Sequence, residues 1–98
     1  MSCYIISYDL NKNKDYGSLY SAIKSYGNWA HINESVWAVV TDKTAVAIRD
    51  HLLETIDNDD QIFVVKSGTD AAWRKTICNS DWLKKIYNIR RSNLLISI

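Results

Sequence analysis

A group of basic residues around one tryptophan lies in the C-terminal third of the chain. Trp73, Arg74 and Lys75 are adjacent, and Lys66 precedes them. Basic side chains can bind a phosphate backbone while an indole ring stacks on a base, so these four residues are predicted to bind RNA or DNA. The alternative is a packed tryptophan beside a solvated basic surface. Further basic residues of this region are Lys84, Lys85, Arg90 and Arg91.

A carboxylate, Asp9, stands where a run of strand-forming residues gives way to a polar segment. Residues 4–16 have the sequence YIISYDLNKNKDY, in which polar and charged residues follow soon after Asp9. A carboxylate at the end of a strand can be purely structural, accepting hydrogen bonds from the following loop or capping a turn. The residues alone leave open whether Asp9 has a further role.

Several other kinds of chemistry have no support in the sequence. The two histidines, His31 and His51, are predicted on a strand and on a helix, and only His31 is a candidate for catalysis. A Ser-His-Asp order, a glycine-rich phosphate loop and an HExxH sequence are all missing. Cys3 and Cys78 form no metal-ligand cluster and are predicted to be reduced thiols.

Composition predicts one folded domain over residues 1–98. The hydrophobic share is 47% and aromatic residues make up 11% of the 98 residues, which excludes a disordered chain. The sequence contains no apolar run of the roughly 20 residues that span a bilayer, so we expect a cytoplasmic protein without a membrane partner. Charge is uneven: the net value is 0 for residues 1–41, −4 for 42–60 and +5 for 61–98.

The positions of these residues depend on the elements that carry them. Residues 3–10 have the composition of a central strand. Helical spacing follows over 15–26, with Asp15 as a plausible N-cap and Gly27 as the C-terminal stop. Residues 29–41 predict a hairpin, whose arms are 29–32 and 35–41 and whose turn is at Asn33-Glu34, with a single bulged strand as the alternative.

The second half of the chain repeats the order of helix and strand. Asp42 is predicted to cap a helix whose apolar stripe is Ala45, Ile48, Leu52 and Ile56. A strand over 61–67 follows, so the order is βαββαβ. Residues 69–98 form a C-terminal extension with a connector at 69–75, a helix after Ser80 and a possible strand at 94–98.

This order predicts an α+β, ferredoxin-like sandwich, in which right-handed crossovers place both helices on one face of an antiparallel sheet. The opposite face must then contact solvent, a ligand or another subunit. The aliphatic and aromatic residues on the strands make neither face polar enough for water, so we expect a homodimer. These residues are Ile5, Val36, Val64, Ile62, Tyr4, Tyr8, Trp37 and Phe63.

Three segments carry a resemblance to known families. The strand ending YDL, the helix ending SYG and the strand ESVWAVV resemble, over residues 4–40, the small CRISPR-associated adaptation protein that is the second of the universal pair, Cas2. A closer resemblance, over residues 3–87, is to small proteins labelled "SinR family". These share YIISYDL, the KSYG-WAH-ESVWAVVTDK run and the VKSG-AAW segment. VapD ribonucleases are more distantly similar in fold and in the strand-end aspartate.

The resemblance implies a homodimer in which Asp9 of each subunit faces its mate and holds a divalent cation, Mg²⁺ or Mn²⁺. Two carboxylates on a twofold axis repel one another unless a metal or a proton lies between them. Ser35 matches the serine of the family's Ser-Val-Phe pattern, so Asp9 and Ser35 are the implied catalytic residues. The chain departs from the family in having Lys12 and Lys14 where arginines usually begin the first helix.

Two functions of different classes follow from these expectations. The first is a Cas2-like, nucleic-acid-directed homodimer, with metal-dependent endoribonuclease or nuclease activity as the enzymatic hypothesis. The alternative is a non-catalytic interaction module, either a toxin–antitoxin component or a phage-encoded inhibitor, that acts through a protein partner.

Overall fold

The computed structural model describes residues 1–12 and 15–87. Four strands and three helices form in the order β1, α1, β2, β3, α2, β4 and α3. This order confirms the predicted βαββαβ arrangement and adds a helix after it. The bounds are β1 Ser2–Asp9, α1 Gly17–Lys24, β2 Asn28–Asn33, β3 Val36–Thr41, α2 Ala45–Leu53, β4 Gln61–Lys66 and α3 Ser80–Tyr87.

The four strands form one antiparallel sheet with the order β2-β3-β1-β4. β1 is therefore central, and Tyr4 lies opposite Val39 on one side and Lys66 on the other. The sheet and the two helices α1 and α2 confirm the α+β, ferredoxin-like fold.

Side-chain alternation along β1 divides the sheet into two faces. Tyr4, Ile6 and Tyr8 are buried on the first face. They form one core cluster with buried residues of α1 and α2, so both helices cover this face, as predicted. The helix residues of the cluster are Leu19, Ile23, Ile48 and Leu52.

The second face is partly covered by α3, whereas the sequence predicted that two helices would leave it open. Leu83 of α3 is buried. The Trp82 indole nitrogen donates to Asn28 Oδ1 at 3.0 Å, and the Tyr87 hydroxyl is 2.7 Å from Ser67 Oγ. These contacts lie on β2 and just beyond β4, so α3 crosses the second face obliquely. Its amphipathic pattern predicted the helix but gave no information about where it docks.

The remainder of the second face has exposed apolar residues near β4. Phe63 is 63% exposed and Val65 is 41% exposed. Both lie on the face opposite α1 and α2, since Phe63 pairs with Ser7 and Val65 with Ile5. Tyr4, Tyr8, Trp37, Ile62 and Val64 belong instead to the first face.

Some predicted boundaries were wrong by one or two residues. The hairpin turn is Glu34-Ser35 rather than Asn33-Glu34, because β2 continues through Asn33. The N-cap of α2 is Thr44 rather than Asp42, and its hydroxyl accepts from Ala47 N at 3.1 Å. Gly27 ends α1 as predicted, with a φ of 88° that side chains disfavour.

The C-terminal extension differs from prediction in its details. Residues 69–75 contain neither helix nor strand, and α3 begins at Ser80. Asn79 Oδ1 accepts from Asp81 N at 2.7 Å, so Asn79 satisfies the start of this helix. The possible strand at 94–98 lies outside the described residues. In the described part of the chain, no helix has the length and apolar character needed to cross a bilayer.

Candidate functional site

Asp9 lies at the end of β1 on the second face of the sheet. It pairs with Gln61 at the start of β4 and is exposed. Alternation places Asp9 on the face opposite Tyr8, because Tyr8 is buried in the core. A shallow cavity of about 160 Å³ at this point is lined by Ser7, Tyr8, Asp9, Gln61, Ile62 and Phe63.

The Asp9 carboxylate forms no hydrogen bond or ion pair with any residue of the described ranges 1–12 and 15–87. The structural alternative for Asp9 required it to accept hydrogen bonds from the loop that follows β1. Within these ranges the backbone of that loop donates to Asp60 instead, since Asn11 N is 2.7 Å from Asp60 Oδ1. Asp9 is therefore available for an external ligand.

Asp60 is a buried carboxylate whose oxygens are occupied by donors. Besides Asn11 N, the Tyr16 hydroxyl donates to it at 3.1 Å and Asp57 N donates at 2.8 Å. Burying a carboxylate is costly unless hydrogen bonds replace water, and these donors supply them. Burial also raises the pKa of the Tyr16 hydroxyl, which favours its protonated, donating form. Asp60 thus joins the loop after β1 to the loop before β4.

Asp57, Asp59 and Asp60 form an acidic cluster that the sequence suggested only as a polar loop. Each residue can place one carboxylate oxygen within 4.8 Å of the others, a spacing that a metal ion could bridge. Asp60 accepts the bonds above, and Asp59 pairs with Lys12 at 3.2 Å. A cation at this cluster would have to displace those donors.

Ser35 lies beside the end of β1 because the hairpin turn packs there. The Ser35 carbonyl accepts from Tyr8 N at 3.1 Å, which places this residue next to the strand that ends in Asp9. The structure thus brings both predicted catalytic residues, Asp9 and Ser35, to the same end of the sheet.

On the first face, a network of hydrogen bonds holds this end of the sheet in place. The Trp37 indole nitrogen donates to the Tyr8 hydroxyl at 2.9 Å, and that hydroxyl donates to the Glu34 carbonyl at 3.3 Å. Burial raises the pKa of Tyr8 to about 12, although the bond from Trp37 opposes the increase. The neutral hydroxyl therefore connects β1, β3 and the hairpin turn.

His31, the other candidate for catalysis, packs in the same region. Its ring stacks on Trp37 with centroids 4.1 Å apart and an interplanar angle of 10°. Its Nε2 is 3.1 Å from the Glu34 carbonyl, and because a carbonyl only accepts, Nε2 must be the donor. These contacts give His31 a structural role on the first face, away from the face that carries Asp9.

One of the predicted nucleic-acid-binding residues, Lys66, lies at the other end of the sheet. Lys66 ends β4, at about 17 Å from Gln61 along a strand that rises about 3.4 Å per residue. The Trp73 indole nitrogen donates to Ser80 Oγ at 3.4 Å, and its ring is 6.5 Å from that of Tyr87. Arg74 and Lys75 are exposed. The structure therefore separates Lys66 from Asp9 and half-buries the tryptophan.

Comparison with known proteins gives one family. Residues 1–76 match the family model described as "CRISPR associated protein Cas2". The matched segment contains all four strands, α1 and α2, together with Asp9 and Ser35, and it ends before α3. No solved structure matches the chain.

Proposed function

The chain belongs to the Cas2 family of CRISPR-associated proteins, and we propose that it acts on nucleic acid as a homodimer with metal-dependent phosphodiesterase activity at Asp9. The observation that carries this proposal is the exposed Asp9 carboxylate, which has no partner among the described residues and lies on a partly apolar face. An exposed carboxylate without an internal partner can bind a cation without first breaking a native contact.

The homodimer is supported by the surface around Asp9. Phe63 is exposed beside it, Val65 is exposed further along β4 on the same face, and the outer edge of β4 is unpaired within the described chain. Exposed apolar residues and a free strand edge favour association with another subunit. A twofold axis near this face would bring the two Asp9 carboxylates together. Their mutual repulsion would then be relieved by a shared cation.

The donor set fits a hard divalent cation, Mg²⁺ or Mn²⁺, because carboxylate oxygens are its preferred ligands. Such an ion supplies a Lewis acid that polarises a phosphodiester and lowers the pKa of bound water. Asp9 would hold it, and the Ser35 hydroxyl would orient the substrate phosphate from the adjacent hairpin turn. Tyr8 would keep both residues in place through its bonds to Trp37 and Glu34.

Nucleic acid would be bound by Lys66, Trp73, Arg74 and Lys75. Of these, Lys66 lies about 17 Å from Gln61 along β4. Residues 69–98 would act as an extension of a single domain. We also propose that the chain is related to SinR-family proteins and more distantly to VapD ribonucleases, and that it is located in the cytoplasm.

The test is calorimetric titration of Mg²⁺ and Mn²⁺ into the dimer, with the assembly state checked by light scattering. We expect Asp9→Asn to abolish binding and metal-supplemented cleavage of RNA and DNA. Ser35→Ala should retain metal binding and lose cleavage. Asp70→Asn, which alters an exposed carboxylate of the connector, is the matched control and should change neither.

A further variant separates the two acidic regions. Asp59→Asn removes one member of the acidic cluster, and it should leave the calorimetric signal intact if the cation binds at Asp9. Loss of binding in Asp59→Asn with retention in Asp9→Asn would place the cation in the cluster and overturn the proposed site. Unchanged cleavage in Asp9→Asn would favour the non-catalytic alternative, an interaction module with a protein partner.

A further inference from the structure

A second cavity lies at the outer edge of β2, beside residues that follow the segment matched to the family. Ile77 N donates to the Ile32 carbonyl at 2.8 Å, so the chain runs beside this strand. The cavity between them has a volume of about 320 Å³, and Trp29, His31, Ile77, Asn79 and Trp82 are among its lining residues. Because the match to the family ends at residue 76, three of these five residues lie beyond it.

The two indole rings that line the cavity are held by contacts outside it. Trp82 donates to Asn28 Oδ1 at 3.0 Å. Trp29 has the Lys24 ammonium over its ring at 5.1 Å and the Trp37 ring at 5.5 Å. These contacts oppose collapse of the indoles into the space between them, so the cavity is preorganised to accept a flat group.

Charge near the cavity favours an anionic ligand. None of its lining residues is acidic. Lys75 precedes Ile77 by two residues, and Lys85 follows Trp82 by one turn of α3, on the same side of the helix. One acid, Asp81, is adjacent to Trp82, and its backbone nitrogen is bound to Asn79 Oδ1. Asn79 therefore offers its amide nitrogen as a donor.

We propose that this cavity binds one unpaired base of a single-stranded nucleic acid. The base would stack on Trp82 or Trp29, and Lys75 and Lys85 would contact the adjacent phosphates. Aromatic rings beside basic side chains are the usual features of single-strand binding, whereas the base faces of a duplex are already stacked and cannot enter. The ligand class rests on the proposed nucleic-acid-directed function, but the site does not involve Asp9.

The experiment is an NMR titration of the ¹⁵N-labelled full chain with a six-nucleotide single-stranded DNA or RNA, compared with a blunt duplex of the same sequence. The indole resonances of Trp29 and Trp82 and the amide of Ile77 should shift with the single strand. They should not shift with the duplex. No shift with the single strand, or an equal shift with the duplex, would overturn the proposal.

Substitutions at two positions, Trp82 and Ile77, test how the cavity binds the single strand. Trp82→Ala should weaken single-strand binding by about 5- to 150-fold, the range for loss of one stacked base. Because this change could also affect folding, Ile77 provides a second test: its side chain is 60% exposed at the cavity. Ile77→Glu should weaken binding and Ile77→Lys should not. Equal affinities for these two variants would contradict an anionic ligand.

The control and the catalytic variant separate this site from the proposed function. Val46→Ala truncates an exposed apolar side chain of α2 that does not line the cavity, and should leave binding unchanged. Asp9→Asn should abolish cleavage while the single-strand shifts at Trp82 persist. Cleavage that depends on Asp9, without any single-strand shift at Trp82, would reject only the cavity proposal.

Discussion

Asp9 and Asp60 lie at the same end of the sheet, yet their surroundings are opposite. Asp9 pairs through its backbone with Gln61, the residue that follows Asp60. Asp60 is 8% exposed and accepts from Asn11, Tyr16 and Asp57. Asp9 is exposed and has no such partner among the described residues. The comparison shows that a carboxylate already saturated with donors holds loops together, whereas an exposed one is available for chemistry.

The same comparison explains why the larger acidic cluster is the weaker candidate for a metal. A cation at Asp60 would compete with the hydrogen bonds from Asn11, Tyr16 and Asp57, and at Asp59 with the ion pair to Lys12. At Asp9 it would displace no side-chain contact with a described residue.

The largest predicted effect is on stability, and it should differ between Asp60 and Asp9. Asp60→Ala should lower the free energy of unfolding by about 2–4 kcal/mol, because it leaves several donors without an acceptor. Asp9→Ala should change it by less than about 0.5 kcal/mol, as expected for an exposed site. Urea unfolding of both variants measures the difference.

In cleavage assays the order should be reversed, with a larger loss of activity in Asp9→Ala than in Asp60→Ala. Asp9→Ala should remove metal-dependent cleavage while the protein stays folded. An Asp9→Ala variant as unstable as Asp60→Ala would contradict the contrast and would make Asp9 structural.

Sequence reasoning identified Asp9 but not Asp60, for a physical reason. Asp9 ends a run of strand-forming residues, CYIISYD, and a polar segment follows it, so its position at the end of a strand follows from local pattern. Asp60 belongs to the segment DNDD, and its partner Asn11 is 49 residues away. That contact exists only after β1 and β4 have paired, so no local pattern predicts which of the three aspartates becomes buried.

The docking of α3 on the second face was likewise not predictable from local sequence pattern. The helix after Ser80 was predicted from its amphipathic spacing, and Leu83 is its buried residue. The docking of α3 depends on Trp82 meeting Asn28 and on Tyr87 meeting Ser67, which are long-range contacts. The cavity at β2 results from this docking and had no counterpart in the sequence prediction.

A smaller effect tests how Asp9 is held in position. Tyr8→Phe removes the acceptor for the Trp37 indole and the donor to Glu34, and should cost about 1–2 kcal/mol in unfolding free energy. Because Tyr8 fixes the hairpin turn beside Asp9, this variant should also reduce cleavage while metal binding at Asp9 is retained. Equal loss of metal binding would show that Tyr8 positions the carboxylate itself.

The dependence of stability on alkaline pH also tests the Tyr8 hydroxyl. The pKa of Tyr8 is about 12 in the folded protein and 10.0 ordinarily. The contribution of this hydroxyl to the free energy of unfolding is therefore fully present below pH 10. It is lost as the pH rises from 10 towards 12, because over this range the tyrosine of the unfolded chain is deprotonated while that of the folded protein is not. Tyr8→Phe should make this loss shallower in urea unfolding measured from pH 9 to 12. An unchanged slope would contradict the buried hydroxyl.

The smallest predicted effect concerns the ion pair on the exposed side of the acidic loop. Lys12 and Asp59 side chains are each 55% exposed, so solvent and salt screen their attraction. Lys12→Ala should lower the midpoint of thermal unfolding less than Tyr8→Phe does, and the difference from the native protein should disappear in high salt. Lys12→Arg, which retains the charge, is the matched control. If Lys12→Ala destabilised the protein as much as Asp60→Ala, the loops would be joined mainly by the Lys12–Asp59 pair. Since the Asp60 bonds are buried and this pair is not, we expect the loops to stay joined when Lys12 is lost.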